Sequence, residues 1–304
     1  MIHPIVHIGY PKTATKWFQH HFYPALQDIY FLNRQDVFSI IIKPDIFEFK
    51  PNEALQQINS LKGESRLAIC EELLMGGLDI AFGNGEFIQL MANRIKLILP
   101  DAEIVIFIRN QRDILESSYN QYVKSGGTYS PSRYFGFKRR FKAFFKNYHL
   151  FNQKIFEYDR VIDLYKKTFG IEKVHVFLYE DFLDNPEEFI SDYCKSLYLP
   201  HQEFPFDTYE NRRFSTLSLR FMRFMNHFTY KNTPFKNNLI HLETLYYRTL
   251  SICEKIDRLN WFKNHPFHLS KNLLDKLGDY YKISNTKLNK EVGLDRLMKY
   301  KYPL

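Results

Sequence analysis

The chain has 304 residues, of which 45% are hydrophobic, so it is long enough to bury a sizeable core and too apolar for extended disorder. Its formal net charge of +8 favours an anionic ligand, because a positive field raises the local concentration of anions, but the charge does not say which anion. Three scattered cysteines provide neither a disulfide framework nor a zinc-binding pattern. No signal peptide or membrane span is visible, which predicts a cytoplasmic protein.

Strand and helix signals alternate along the first two thirds of the chain. Short apolar runs predict buried strands, and these runs are 5–9, 66–70, 103–108 and 173–179. The stretches between them predict helices from apolar residues at helical spacing, and these are 15–27, 53–62, 86–99, 113–125, 137–148 and 186–197. From Thr216 onward the pattern is mostly helical. Strands separated by helices predict an α/β fold with a central parallel sheet flanked by helices, whose ligands bind at the carboxyl ends of the strands.

The segment Gly9–Trp17 joins the first strand to the first helix and has the features of an anion cradle. Backbone amides at such a junction point at one spot, and the helix dipole adds positive potential there. Lys12 supplies a full charge, and Thr13 and Thr15 supply hydroxyl donors. This combination predicts a phosphate-binding loop.

The loop departs from the nucleotide-binding pattern G-x-x-x-x-G-K-[ST] at the positions that serve Mg²⁺. Ala14 stands where the second glycine belongs, Thr15 at the lysine position, and Lys16 at the position of the Mg²⁺-holding hydroxyl. The strand 103–108 is followed by Arg109, whereas a metal-dependent NTPase places an aspartate after such a strand. The loop therefore suits a nucleotide phosphate that is held without a metal.

The segment Tyr10–Trp17 resembles the 5′-phosphosulfate loop of the sulfotransferases that use 3′-phosphoadenylyl sulfate (PAPS), whose usual form is Y-P-K-[ST]-G-T-T-W. Six of the eight positions match, and the departures are Ala14 for Gly and Lys16 for Thr. The resemblance implies the P-loop NTPase-like sulfotransferase fold of the bacterial or glycan-acting type, with PAPS as the donor. It also implies that the donor is bound by Lys12, Thr13, Ala14, Thr15, Lys16 and Trp17.

A second motif is independent of the loop. In this family an arginine at a strand end and a serine eight residues later bind the 3′-phosphate, and Arg109 and Ser117 have this spacing. An arginine suits that position because its planar guanidinium can bind phosphate with two parallel hydrogen bonds. Ser118 is the alternative to Ser117.

Two weaker matches follow the last predicted strand. Leu178–Phe182 resembles the Y-E-D-[LM] segment of the family, which implies that Tyr179 lies beside the nucleotide and that the acidic residues after it brace the fold. Asn211–Ser215 resembles the late basic loop that closes over the 3′-phosphate, with Arg212 and Arg213 as its cations. An ordinary polar loop is an equally good interpretation of that segment.

Sulfuryl transfer needs charge stabilisation on the leaving phosphate, which the resemblance assigns to Lys12, and a base for the acceptor. Family members acting on phenols and steroids use a histidine, and many that act on glycans use a glutamate just after the second strand. Glu71 directly follows the run 66–70 and is the expected base, with Glu72 as the alternative. A histidine base stays open.

The prediction is therefore one domain, residues 1–304, with a nucleotide-binding core at about 1–200 and a helical portion at about 201–304. The expected activity is metal-independent transfer of a sulfuryl group from PAPS to an acceptor hydroxyl of a carbohydrate or glycolipid. A P-loop-type small-molecule kinase is one alternative. A basic RNA- or membrane-binding protein that uses the Phe/Lys/Arg segment 137–148 is another. No nucleic-acid partner is expected. Peripheral membrane contact and the oligomeric state stay open.

Overall fold

Five strands form one parallel sheet in the part of the chain that the structure describes. The structure is a computed structural model and describes residues 3–75, 86–137, 151–200, 202–204, 206, 214–229, 242–259 and 265–304. The strands are β1 (Ile5–His7), β2 (Ile29–Leu32), β3 (Arg66–Cys70), β4 (Glu103–Ile108) and β5 (Val174–Leu178). Their order is β2-β3-β1-β4-β5, and every neighbouring pair is parallel.

Helices connect the strands and form most of the region after β5. The helices before β5 are α1 (Thr15–Trp17), α2 (Arg34–Val37), α3 (Pro51–Lys62), α4 (Glu86–Ile98), α5 (Gln111–Lys124), α6 (Pro131–Tyr134) and α7 (Tyr158–Phe169). Those after β5 are α8 (Tyr179–Asp184), α9 (Pro186–Leu197), α10 (Thr216–Met225), α11 (Glu243–Asp257), α12 (Lys271–Val292) and α13 (Leu294–Lys299). The prediction of an α/β fold with a central parallel sheet flanked by helices is confirmed.

Each face of the sheet carries its own apolar core, because successive strand residues point to opposite faces. On one face Ile104, Ile106 and Ile108 of β4 join a cluster that includes residues of α4, α5, α7 and α12. On the other face Val105 and Phe107 join an aromatic cluster built from the segment after β1 and from α9. The sheet is thus buried on both sides, and its strand ends are where polar groups can gather.

The helix predicted for residues 15–27 is only partly regular. α1 ends at Trp17 and continues as a π-helical turn at Phe18–Phe22 and a 3₁₀ turn at Tyr23–Ala25. Pro24 lies in the 3₁₀ turn and donates no helical hydrogen bond, because proline lacks the N–H. The predicted start of α5 at Asp113 is also two residues late, since Asn110 caps the helix by accepting from the amide of Arg112 at 2.9 Å.

Several regular elements have no counterpart among the predicted ones, namely β2, α2, α6, α7 and α8. β2 is a four-residue edge strand. Most of the predicted helix 137–148 lies outside the described residues. α12 packs against α5 and α7, and the amide of Asn285 on α12 hydrogen-bonds with that of Gln111 on α5. The division into a core and a helical C-terminal portion stays a prediction.

Candidate functional site

Three sequence segments with polar side chains meet at the carboxyl edge of the sheet. β1 lies between β3 and β4, and all three strands run in the same direction. The loop after β1, Glu71 after β3 and Arg109 after β4 are therefore neighbours. The amide of Glu71 donates to the carbonyl of His7 at 3.1 Å, and the amide of Ile8 donates to that of Val105 at 3.0 Å. These two bonds extend the pairing of the strands up to the loop itself.

The loop between β1 and α1 contains two non-glycine residues in the left-handed region. Lys12 has a φ of 71° and Ala14 a φ of 62°. Left-handed residues between right-handed ones turn successive amides toward one side and make a concave anion site. Ala14 thus occupies the glycine position of the family pattern in a glycine conformation, at a cost of about 1 kcal/mol. The loop keeps its shape despite the missing glycine.

The two loop threonines have different surroundings. The buried hydroxyl of Thr13 donates to the carbonyl of Tyr10 and so closes the turn. Thr15 is also buried, at 3% exposure, but its Oγ1 has no hydrogen-bond partner among the described residues. An unpartnered buried hydroxyl is costly unless something binds it. Thr15 at the start of α1 is therefore positioned to donate to an anion in the loop.

Lys12 and Arg109 lie against each other although 97 residues separate them in the sequence. The Arg109 guanidinium donates to the carbonyl of Lys12 at 3.0 Å and stacks over the Tyr179 ring at 4.8 Å. The ammonium of Lys12 donates to Oε1 of Gln121 on α5 at 3.0 Å. The structure thus brings three of the predicted donor-binding residues together, with Gln121 as a fourth member that the sequence did not single out.

The position of Ser117 follows from the contact between Lys12 and Gln121. Residues four apart on a helix share a face, so Ser117 lies one turn before Gln121 on the face of α5 directed to the loop. Ser117 is half-buried, whereas Ser118 is buried and its hydroxyl hydrogen-bonds with that of Tyr134 at 3.0 Å. The surroundings favour Ser117 over Ser118 as the binding residue.

Two further predicted donor-binding residues, Lys16 and Trp17, lie on α1. Lys16 is exposed on α1, and Trp17 is buried with its ring stacked on Phe206 at 5.4 Å. Trp17 thereby anchors the loop to the aromatic core in this structure. Arg212 and Arg213 lie outside the described residues.

The acidic residues after Tyr179 brace the fold. Glu180 accepts from the backbone amide of Asn110 at 2.7 Å and from the hydroxyl of Tyr302 at 3.0 Å. Asp181 accepts from the hydroxyl of Tyr300 at 2.7 Å. Both carboxylates bond α8 to the C-terminal residues, and this holds Tyr179 in place against Arg109.

Glu71 and Glu72 differ in burial and in hydrogen bonding. Glu71 is fully buried, its Oε1 accepts from the amide of Leu73 at 3.0 Å, and its Oε2 has no partner among the described residues. Burial and the neighbouring Glu72 raise the pKa of Glu71 to about 7. Glu72 uses both oxygens, accepting from Gln19 and from Arg34 at 3.1 Å each. Arg34 also lies 3.5 Å from Oε1 of Glu71.

His7 is a buried residue of β1 directly beneath the loop. Its ring stacks on Phe107 at 4.7 Å, and burial lowers its pKa to about 3, so it is neutral. A Cβ on Gly9 would lie only 2.7 Å from Nε2 of His7, which explains the glycine at the start of the loop. Nε2 has no hydrogen-bond partner among the described residues. The loop thus rests on a neutral aromatic ring.

The structure comparison adds the fold family to this geometry. The chain is similar to a sulfotransferase from Alicyclobacillus acidocaldarius with a TM-score of 0.56 and 16% identity, over 100% of this chain and 98% of that chain. The chain has the fold of a sulfotransferase. The sulfotransferase domain from the curacin biosynthetic pathway matches with a TM-score of 0.38 and 9% identity, over 91% of this chain and 97% of that chain, a similarity too distant to show a common fold. No family model and no curated protein matches the sequence.

The sulfotransferase fold that the loop motif implied is thereby confirmed, and an identity of 16% transfers no activity. Among the described residues, no group of three or more His, Cys, Asp or Glu side chains is arranged to hold a metal ion. In the same residues, no helix combines the length and the apolar character needed to cross a bilayer.

Proposed function

We propose that the protein transfers a sulfuryl group from PAPS to an acceptor hydroxyl of a carbohydrate or glycolipid, without a metal. The observation that carries the proposal is the convergence of Lys12, Arg109 and Glu71 at one edge of a sulfotransferase-type sheet. Around the loop, unused polar groups face inward: the Thr15 hydroxyl and one oxygen of Glu71 are buried without partners among the described residues. The anionic donor would accept a hydrogen bond from the Thr15 hydroxyl, and the acceptor hydroxyl would donate to the unpartnered oxygen of Glu71.

The donor is assigned to the residues around the loop. The loop amides, including that of Thr13, and the unpartnered hydroxyl of Thr15 suit the 5′-phosphosulfate, since the anion lies at a helix start. Arg109 and Ser117 suit the 3′-phosphate. The Tyr179 ring packs against the Arg109 guanidinium and so fixes its orientation. The further proposed donor contacts are Ala14, Lys16, Trp17, Arg212 and Arg213.

In the transfer step the bond between sulfur and the leaving phosphate oxygen breaks, and a bond between sulfur and the acceptor oxygen forms. Lys12 stabilises the negative charge that develops on the phosphate, because it is a loop residue with a full positive charge. Glu71 accepts the acceptor proton. A carboxylate with a pKa of about 7 is a stronger base than an ordinary glutamate and is still ionised in half of the molecules at neutral pH. Glu72 is less suited, since both its oxygens are already hydrogen-bonded.

The test begins with binding. Calorimetry in EDTA should show that adenosine 3′,5′-bisphosphate binds at least ten-fold more tightly than AMP, because only the bisphosphate contacts Arg109 with a second phosphate. Arg109→Ala should remove most of this difference. Lys62→Ala is the matched control, because Lys62 ends α3 before β3 and lies at the opposite edge of the sheet. Equal affinity for AMP and the bisphosphate would reject the proposal.

The second stage measures transfer of labelled sulfate from PAPS to a panel of glycans, glycolipids and phenols. Lys12→Ala should abolish turnover while weakening bisphosphate binding less than Arg109→Ala does. Turnover of ATP that requires Mg²⁺, with no use of PAPS, would instead support the small-molecule kinase. Binding to RNA or vesicles that persists in Lys12→Ala, with no nucleotide binding, would support the third alternative.

A further inference from the structure

A cavity with a volume of about 590 Å³ opens beside α5, and no residue of the loop between β1 and α1 lines it. It lies between α5, α6, α10 and the start of α12. Its lining combines cationic, aromatic and aliphatic side chains, and the members used below are Tyr119, Arg220, Arg223, Phe267, Ser270 and Leu273. A volume of several hundred Å³ is typical of sites for small molecules.

The cavity lies on the far side of α5 from the loop. Tyr119, which lines the cavity, follows Ser117 by two residues, and two residues turn about 200° around a helix. Gln121, which contacts Lys12, is likewise two residues from Tyr119. One helix therefore separates the cavity from the proposed donor site, and an occupant of the cavity would not contact Lys12 or Arg109.

Two arginines give the cavity a positive charge that the described residues do not neutralise. Arg220 and Arg223 are three residues apart on α10 and both line the cavity. The Arg223 guanidinium donates once to the hydroxyl of Tyr119 at 3.1 Å, which fixes its orientation. Arg220 is exposed and makes no hydrogen bond or ion pair with the described part of the chain. Two guanidinium groups on one wall suit an anion with several oxygens.

A buried carboxylate on α5 is bound to the segment before α12. Glu116 is 3% exposed and accepts from the amide of Leu269 at 2.9 Å and from the ring of His268 at 3.1 Å. Each of its two oxygens thus contacts that segment. On the same side, Ser270 precedes the first residue of α12, and its side chain makes no capping hydrogen bond within the described residues. The positive end of a 22-residue helix therefore adds to the potential of the arginines.

Part of the cavity wall is apolar. Phe267 and Leu273 are both buried core residues, and they line the cavity together with the ring of Tyr119. A ligand that consisted of an anion alone would leave this wall in contact with water. A ligand with an anionic group and a ring or chain would cover it, and the burial of apolar surface would add affinity.

We infer that this cavity binds a small organic phosphate or sulfate monoester, with the ester anion between Arg220 and Arg223 and the organic group against Phe267 and Leu273. This site is additional to the proposed donor site and does not depend on the proposed function. Phosphate and sulfate monoesters share the tetrahedral oxyanion, so both are used as probes.

Calorimetric titration of the full chain with phenyl phosphate, phenyl sulfate and inorganic phosphate tests the inference. Each titration is done with and without saturating adenosine 3′,5′-bisphosphate, so that binding to the proposed donor site is recognised by competition. At least one ester should bind saturably in the presence of the bisphosphate, and at least ten-fold more tightly than inorganic phosphate. Equal binding of inorganic phosphate, full competition by the bisphosphate, or no saturable binding of either ester would overturn the inference.

Variants then assign the binding to this cavity. Arg220→Ala with Arg223→Ala should weaken ester binding by at least ten-fold. The matched control is Arg248→Ala with Arg258→Ala, which removes the same charge from α11 and its C-terminal end and should leave binding unchanged.

Ser270→Asp tests the same site without loss of fold, because aspartate is as good an N-cap as serine. This variant should keep or raise the melting temperature and weaken ester binding by at least ten-fold, since it places a carboxylate at the anion site. Wild-type affinity in both Ser270→Asp and the Arg220, Arg223 double variant would overturn the inference.

Discussion

Replacing Glu71 by glutamine should stabilise the protein above neutral pH while it removes the proposed base. Glu71 is fully buried, and its pKa rises from an ordinary 4.5 to about 7. Between these two values the folded state binds more protons than the unfolded state, so the free energy of unfolding falls as the pH rises through this window. At about 1.4 kcal/mol per pH unit, the wild type loses about 3 kcal/mol between pH 4.5 and pH 7.

Glutamine carries no charge, so Glu71→Gln should not show this loss, while its carbonyl can still accept from the amide of Leu73. We expect the variant to be about 3 kcal/mol more stable than the wild type at pH 8, and the difference should shrink to its pH-independent part below pH 4.5. Urea denaturation followed by circular dichroism from pH 4 to pH 9 measures this difference. Turnover should fall about 10²–10⁴-fold, with bisphosphate affinity unchanged.

Glu72→Gln is the matched control, because Glu72 lies beside Glu71 but is hydrogen-bonded to Gln19 and Arg34 through both oxygens. This variant should not gain stability at pH 8. If Glu71→Gln and the wild type have parallel stability curves between pH 4.5 and pH 7, the raised pKa of Glu71 is wrong. Normal turnover in Glu71→Gln would reject Glu71 as the base and direct attention to Glu72 or to a histidine.

The two further predictions concern the loop and its support. Ala14→Gly should raise the free energy of unfolding by about 1 kcal/mol in urea denaturation, because Ala14 has a φ of 62° and glycine adopts this conformation without strain. The control Ala54→Gly in α3 should lower the free energy of unfolding by about the same amount. A loss of stability in Ala14→Gly would contradict the left-handed conformation. His7→Phe should flatten the dependence of the free energy of unfolding on pH below pH 6.5. Burial lowers the pKa of His7 to about 3, so the unfolded state binds more protons than the folded state between pH 6.5 and pH 3. The free energy of unfolding of the wild type therefore falls by up to about 1.4 kcal/mol per pH unit as the pH falls through this range. An unchanged acid limb in His7→Phe would show that His7 titrates normally.

Local patterns were sufficient for the elements that carry the site. The runs 66–70 and 103–108 match β3 and β4 residue for residue, because continuous apolar runs bounded by polar residues favour buried parallel strands. The role of Arg109 and Ser117 in binding the 3′-phosphate stays a prediction. Edge strand β2 was missed because it is only four residues long, and three of the four are half-buried.

Some features of the site depend on contacts between distant segments and have no local signal. The proposal of Ser117 over Ser118 depends on which face of α5 meets Lys12 and on the hydrogen bond between Ser118 and Tyr134. The distinction between Glu71 and Glu72 depends on Arg34 and Gln19, which approach from other elements. Gln121 and the buried ring of His7 belong to the site only because the sheet brings their neighbours close.

The sequence by itself determined the parallel sheet, the position of the loop after its first strand and the residue types around that loop, because these follow from apolar runs and from motif spacing along the chain. Only the tertiary structure decided the left-handed conformation of Ala14, the pairing of Arg109 with the Lys12 carbonyl and the raised pKa of Glu71. The pairing of Arg109 with the loop joins residues far apart in the chain, and the pKa of Glu71 depends first on its burial, which follows from the packing of the whole sheet edge.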